Sequence, residues 1–192
     1  DAGTNGSIAL CSNSAAVQLF NSLGGTPDAG GTWTAPGGGA STGTFTPGTS
    51  APGAYTYTVA GTGSCTSASA TVTVSVNAAP NAGSNGTLNI CSNAAAVDLF
   101  TVLGGSPSVG GSWTGPGGGV VSNTFTPGTS PQGTYTYTVA GVPPCTSTSA
   151  TVQVSQVAAP NAGLSRAITV CSTDAPFAMI GQLLGSPQAG GT

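Results

Sequence analysis

The stretch Gly53-Ala-Tyr-Thr-Tyr-Thr-Val-Ala-Gly61, which runs on to Cys65, decides how this chain folds. Aromatic or aliphatic residues alternate with threonine, the period-two pattern of a strand with one buried face. Eighty positions later the pattern returns as Gly133-Thr-Tyr-Thr-Tyr-Thr-Val-Ala-Gly141, leading to Cys145. After each copy a short Gly/Pro turn opens a second alternating run, Ala70-Thr-Val-Thr-Val-Ser-Val76 in the first. A repeated β-hairpin is therefore the unit of construction.

Working outward, residue 1 aligns with 81 and 161 without a gap, and about 50 of 80 positions are identical between the first two copies. Trp33 falls on Trp113, Phe45 on Phe125, Cys11 on Cys91 and Cys171, and Pro80 on Pro160. Tandem self-similarity of this kind means an array, and a period of 80 suits a small self-contained domain. The expected organisation is repeat 1 over 1–79, repeat 2 over 80–159 and an incomplete repeat 3 over 160–192. The third copy stops one residue before its tryptophan, so the sequence reads as a window on a longer chain. The linker Asn77-Ala-Ala-Pro-Asn81 is short and proline-stiffened, which predicts a beaded rod.

Within a copy, Ser7–Cys11, the Trp33 segment, the Phe45 segment, the Tyr55/Tyr57/Val59 strand and Ala70–Val76 are expected strands. Turn signals at this spacing predict a small all-β sandwich. Between them, apolar residues at 16, 19, 20 and 23, with Ser or Asn before them and Gly24-Gly25 after, predict one short helix. Asp174-Ala-Pro176 in the third copy supports that helix, as an N-cap followed by an early proline.

Composition removes several functions. Charged residues make up 3% of the chain, with one basic residue, Arg166, four aspartates and no histidine. One arginine cannot build a nucleic-acid or anionic-lipid patch. No apolar run approaches the length of a bilayer span. Without histidine, lysine or glutamate, a hydroxyl nucleophile lacks a conventional base, so no enzyme is expected. The aspartates also shift from copy to copy: Asp28 aligns with Ser108, Asp98 with Gln18 and Asp174 with Ser14. That pattern argues against a repeated catalytic or calcium site. Pro36-Gly-Gly-Gly39 lacks the lysine of a phosphate loop and reads as a turn. No cofactor and no metal are expected.

The cysteines lie 54 apart within each copy, Cys11 with Cys65 and Cys91 with Cys145. An intradomain disulfide closing such a loop stabilises by roughly 4 kcal/mol in the chain-entropy model. Disulfides persist in oxidising compartments, so the expected location is outside the cytoplasm. Trp33, Trp113, Tyr55, Tyr57, Tyr135 and Tyr137 are the expected core aromatics, the tryptophans packed against the disulfide and the tyrosines. The competing reading makes Trp33 and Trp113 platforms for sugar rings. Threonine pairs such as Thr56/Thr58 read as the solvent side of a strand. Asn5-Gly-Ser7 and Asn85-Gly-Thr87 match the glycosylation pattern at equivalent places.

Ala2-Gly-Thr-Asn-Gly6, Cys11-Ser-Asn13, Leu23-Gly-Gly-Thr-Pro27, Gly30-Gly-Thr-Trp33 and the Tyr-Thr-Tyr-Thr-Val run together resemble Ig-like/PKD-like repeats of giant secreted Bacteroidota surface proteins, the gliding-motility adhesins among them. The resemblance covers the chain copy by copy. It implies an Ig-like/PKD-like β-sandwich per repeat, export by the type IX secretion route, and display on the cell surface as a thin filament. On that reading the repeats are the stalk of a long adhesin, bearing tension and projecting a binding tip. The partners implied are neighbouring repeats, with surface polysaccharide or other filament chains as further candidates. Nucleic acid and membrane insertion are not expected. Two alternatives belong to other classes: repeated carbohydrate-binding modules, and strands that self-assemble laterally into a multi-chain fibre.

Overall fold

A computed structural model describes residues 1–189; the last three residues of the incomplete third repeat lie outside the described residues. The first repeat contains β1 (Gly6–Cys11), β2 (Val17–Gln18), β3 (Thr32–Thr34), β4 (Ala40–Ser41), β5 (Thr44–Phe45), β6 (Gly53–Val59) and β7 (Ala68–Asn77). The second runs through β8 (Gly86–Cys91), β9 (Val97–Asp98), β10 (Ser112–Thr114), β11 (Val120–Val121), β12 (Thr124–Phe125), β13 (Gly133–Val139) and β14 (Thr148–Val157). Each repeat is an Ig-like sandwich. A five-stranded sheet, β1-β7-β6-β3-β4, faces a two-stranded one, β2-β5, and repeat 2 reproduces both.

The tyrosine stretch sits where its alternation requires. As β6 it lies between β7 and β3, pairing Tyr55 with Val72 and Tyr57 with both Ala70 and Trp33. The threonines between face outward, half-buried, while Tyr55, Tyr57, Val72 and Val74 point into the core. β1 joins the other side of β7 in parallel, with Gly6 opposite Val72 and Cys11 opposite Asn77. That direction matters below.

Each core draws on one repeat alone. Leu19, Trp33, Phe45, Tyr55, Tyr57, Val72 and Val74 form the first, and Leu99, Trp113, Phe125, Tyr135, Tyr137, Val152 and Val154 the second. The rings meet in the edge-on and tilted arrangements that aromatic quadrupoles favour. Phe45 meets Tyr55 at 5.9 Å and 88°, and Trp33 lies 5.0 Å from Tyr57. The hydroxyls are satisfied as well. The Tyr57 O–H donates to the Asp28 carbonyl at 2.7 Å and accepts from the Gly31 N–H at 2.7 Å. The Tyr55 O–H reaches back to the Ala51 carbonyl at 2.9 Å, as Tyr135 does to Pro131 at 2.7 Å. Burial pushes the Tyr135 phenol above its ordinary pKa.

The short helix expected between Ser12 and Leu23 is not formed. Val17–Gln18 is a strand against Thr44–Phe45, followed by a four-residue 3-10 turn, Leu19–Ser22. An isolated helix this short repays its nucleation cost poorly. The backbone finds better partners across the sandwich, where the Leu19 N–H donates to the Gly43 carbonyl at 2.8 Å and the Leu19 side chain is fully buried. The supposed N-cap at 174 has another use: Asp174 accepts from the Cys171 N–H at 2.7 Å, as Ser14 does from Cys11 at 3.2 Å. These side chains close a turn rather than start a helix.

Residues 160–189 keep only the opening features of a repeat. Leu164 bridges Leu184 as Thr4 bridges Gly24 and Ser84 bridges Gly104. None of these residues is fully buried. Among the described residues, no helix is long and apolar enough to cross a membrane.

Candidate functional site

The most constructed feature outside the two cores is the joint between them. Cys11 ends β1, and the parallel register places it beside Asn77, the last residue of β7 and the start of the linker. On the facing end of repeat 2, the loop between β13 and β14 carries Cys145. The structure bonds Cys11 to Cys145, with their Cα atoms 5.0 Å apart and a sequence separation of 134. Both residues are buried.

This corrects the pairing expected from spacing. Cys65 precedes the ten-residue strand β7, whereas Cys11 lies at its far end. At about 3.3 Å per residue that separates them by roughly 30 Å, and a disulfide tolerates Cα atoms no more than about 7 Å apart. The parallel pairing of β8 with β14 separates Cys91 from Cys145 in the same way. Cys65, Cys91 and Cys171 are accordingly free and exposed. Each indole packs on tyrosine.

Hydrogen bonds surround the bridge. The Asn77 amide donates to the Pro143 carbonyl at 2.7 Å, and the Thr148 hydroxyl to the Pro80 carbonyl at 3.2 Å. On the repeat 1 side, the Ser12 N–H donates to the Asn77 carbonyl at 2.9 Å and its hydroxyl accepts from the Ala79 N–H at 2.9 Å. On the repeat 2 side, the Cys145 N–H donates to the Val142 carbonyl at 2.9 Å, and Ser147 Oγ accepts from the Gly141 N–H at 3.2 Å. Glycine is required at 141, because a Cβ there would come within 2.3 Å of the Cys145 carbonyl oxygen. Chain-entropy accounting puts about 5 kcal/mol on closing a loop as long as this one.

The other sequence-singled residues serve packing. Trp33 and Trp113 are 8% and 4% exposed, and the four core tyrosines 2–3%, so none presents a ring face to solvent. Beside Trp113 a cleft of about 440 Å³ is edged by Val109, Val120 and Val121. Repeat 1 has Ala29, Ala40 and Ser41 in those places, so the cleft's apolar rim is not a property of the repeat. Sequence reasoning missed Asn77, Thr148 and Pro143 as joint residues, and only the first two copies' departures from one another at 77/157, 68/148 and 63/143 mark them.

No family model matches the chain, and no curated protein matches it. Among solved structures, it is similar to the three-Ig titin fragment I67–I69 in an E-to-A variant, with a TM-score of 0.50 and 12% identity over 81% of this chain and 64% of that one. The unaltered I67–I69 fragment gives 0.49 at 12% identity with the same coverage. Extracellular domains 3–5 of Drosophila OTK give 0.40 at 16% identity, covering 79% of this chain and 60% of that one. The chain thus spans just under two thirds of the length of these structures. At such identity the likeness concerns fold: tandem Ig-like sandwiches.

Proposed function

We propose that this chain is a length of the shaft of an extracellular adhesin or filament, whose work is mechanical. The observation that carries the reading is the Cys11–Cys145 bridge, which spends a disulfide on fixing one sandwich to the next rather than on either core. A module that acts alone gains little from that; a rod under tension gains stiffness. Supporting it, the two cores share their Trp, Phe, Tyr and β7/β14 valine positions, while the aspartates and the valine rim beside Trp113 do not repeat. Buried indoles also withhold the aromatic face on which a sugar ring stacks, which weighs against the carbohydrate-binding alternative. The disulfide points to an oxidising compartment. The resemblance to Bacteroidota repeats adds type IX export, surface display and a role in gliding or attachment.

The test is dimensional and topographic. Small-angle scattering and rotary-shadowed images of arrays with two, three and four repeats should lengthen by a constant increment at constant width. Antibody to the repeat should label intact cells of the source organism. A compact particle whose width grows with repeat number, or labelling only after lysis, would overturn the reading. Width growing with concentration would instead favour the multi-chain fibre.

A further inference from the structure

Each of the first two repeats carries both halves of the joint, and among the described residues one pair of halves is joined. Around Cys91, the Ser92 N–H donates to the Val157 carbonyl at 2.8 Å and its hydroxyl accepts from the Ala159 N–H at 3.0 Å. These are the bonds Ser12 makes beside Cys11. In the loop holding Cys65, the Cys65 N–H donates to the Thr62 carbonyl at 3.2 Å and Ser67 Oγ accepts from the Gly61 N–H at 3.3 Å. These are the bonds made around Cys145. Both halves keep their shape without a partner, and the sulfurs are exposed where those of Cys11 and Cys145 are buried. The chain leaves the Cys91 end through Ala159-Pro160-Asn161-Ala162-Gly163, matching Ala79-Pro80-Asn81-Ala82-Gly83.

We propose that Cys91 is half of a second inter-repeat disulfide, whose other half is the cysteine at the Cys145 place of a complete third repeat. That partner stands as far after Cys91 as Cys145 stands after Cys11. Val157 stands in the place of Asn77 and offers no side-chain amide, so the Asn77–Pro143 contact has no counterpart at the second junction. Bond formation removes two protons and two electrons from the paired thiols. A disulfide oxidant, oxidised glutathione or an exported thiol–disulfide oxidoreductase, accepts them and becomes two thiols.

The experiment completes the third repeat by joining residues 113–159 directly after Thr192, which stands where Ser112 stands. The chain is refolded in a glutathione redox pair, digested with pepsin without reduction, and mapped by mass spectrometry. The expected result is Cys91 bonded to the introduced cysteine, Cys11 still bonded to Cys145, and free thiol only at Cys65 and Cys171. The original chain should titrate three free thiols. The introduced cysteine bonded to Cys171, or left free beside a free Cys91, overturns the proposal. Should circular dichroism show the completed repeat unfolded, a second chain with residues 80–159 duplicated after Ala159 uses a repeat whose fold is described above. A free Cys91 there is equally decisive. Constant rod increments with Cys91 free would sink this joint and leave the shaft reading standing.

Discussion

Pulled from its ends, the chain should give up far less length than its residue count allows. The bridge shields the chain between Cys11 and Cys145, a sequence separation of 134, from the applied force. At about 3.6 Å per extended residue, that hides roughly 480 Å of contour. With the bond intact, residues 1–159 should release only the two short ends outside it, about 90 Å before subtracting the folded length. Cys145→Ser, or reduction during pulling, should restore the hidden contour, roughly 480 Å in total as the two separately cored sandwiches unfold. The assay is single-molecule force spectroscopy between handles at residues 1 and 159. Two intra-repeat bonds would behave differently, giving two separate increments of about 190 Å each for their 54-residue loops. Unchanged contour in Cys145→Ser, or that paired signature in the parent chain, would refute the topology.

Three further outcomes follow from the cores. Tyr137→Phe removes the group that donates to Ser108 and accepts from Gly111; chemical denaturation should show a loss of about 1–3 kcal/mol as those buried partners go unsatisfied. Leu99→Ala empties a fully buried position and should cost about 2–5 kcal/mol, with Leu19→Ala matching it in the other repeat. Melting temperature should fall as pH rises above the ordinary tyrosine range near 10, because the folded state holds the Tyr135 proton more tightly than the unfolded chain does. Tyr135→Phe should flatten that alkaline limb; an identical limb in the variant would refute the assignment.

Much of the sandwich was legible in the chain because its signals are local. The Tyr-Thr-Tyr-Thr-Val alternation and the valines of β7 specify strand, face and burial without knowledge of their neighbours. The helix at 12–23 failed for the converse reason. Leu19 and Phe20 have helical spacing, yet their position is set by the Gly43 carbonyl and by Phe45, two dozen residues on. The cysteine pairing failed on one bit of information, the direction of β1. Antiparallel to β7, Cys11 would lie near the Cys65 loop and the 54-residue loop would close. Parallel, it lies at the opposite pole and meets the next repeat. Residue spacing carries no record of that direction, so a joint was read as two staples.

The bridge also bears on how the molecule survives damage. Its span of 134 residues exceeds the 80-residue period, so a protease that nicks any bond between Cys11 and Cys145 leaves the two ends covalently attached. Were every junction bonded alike, successive loops would overlap like roof tiles, and no peptide bond in the interior would lie outside one. A single cut would then scar such a tether without parting it.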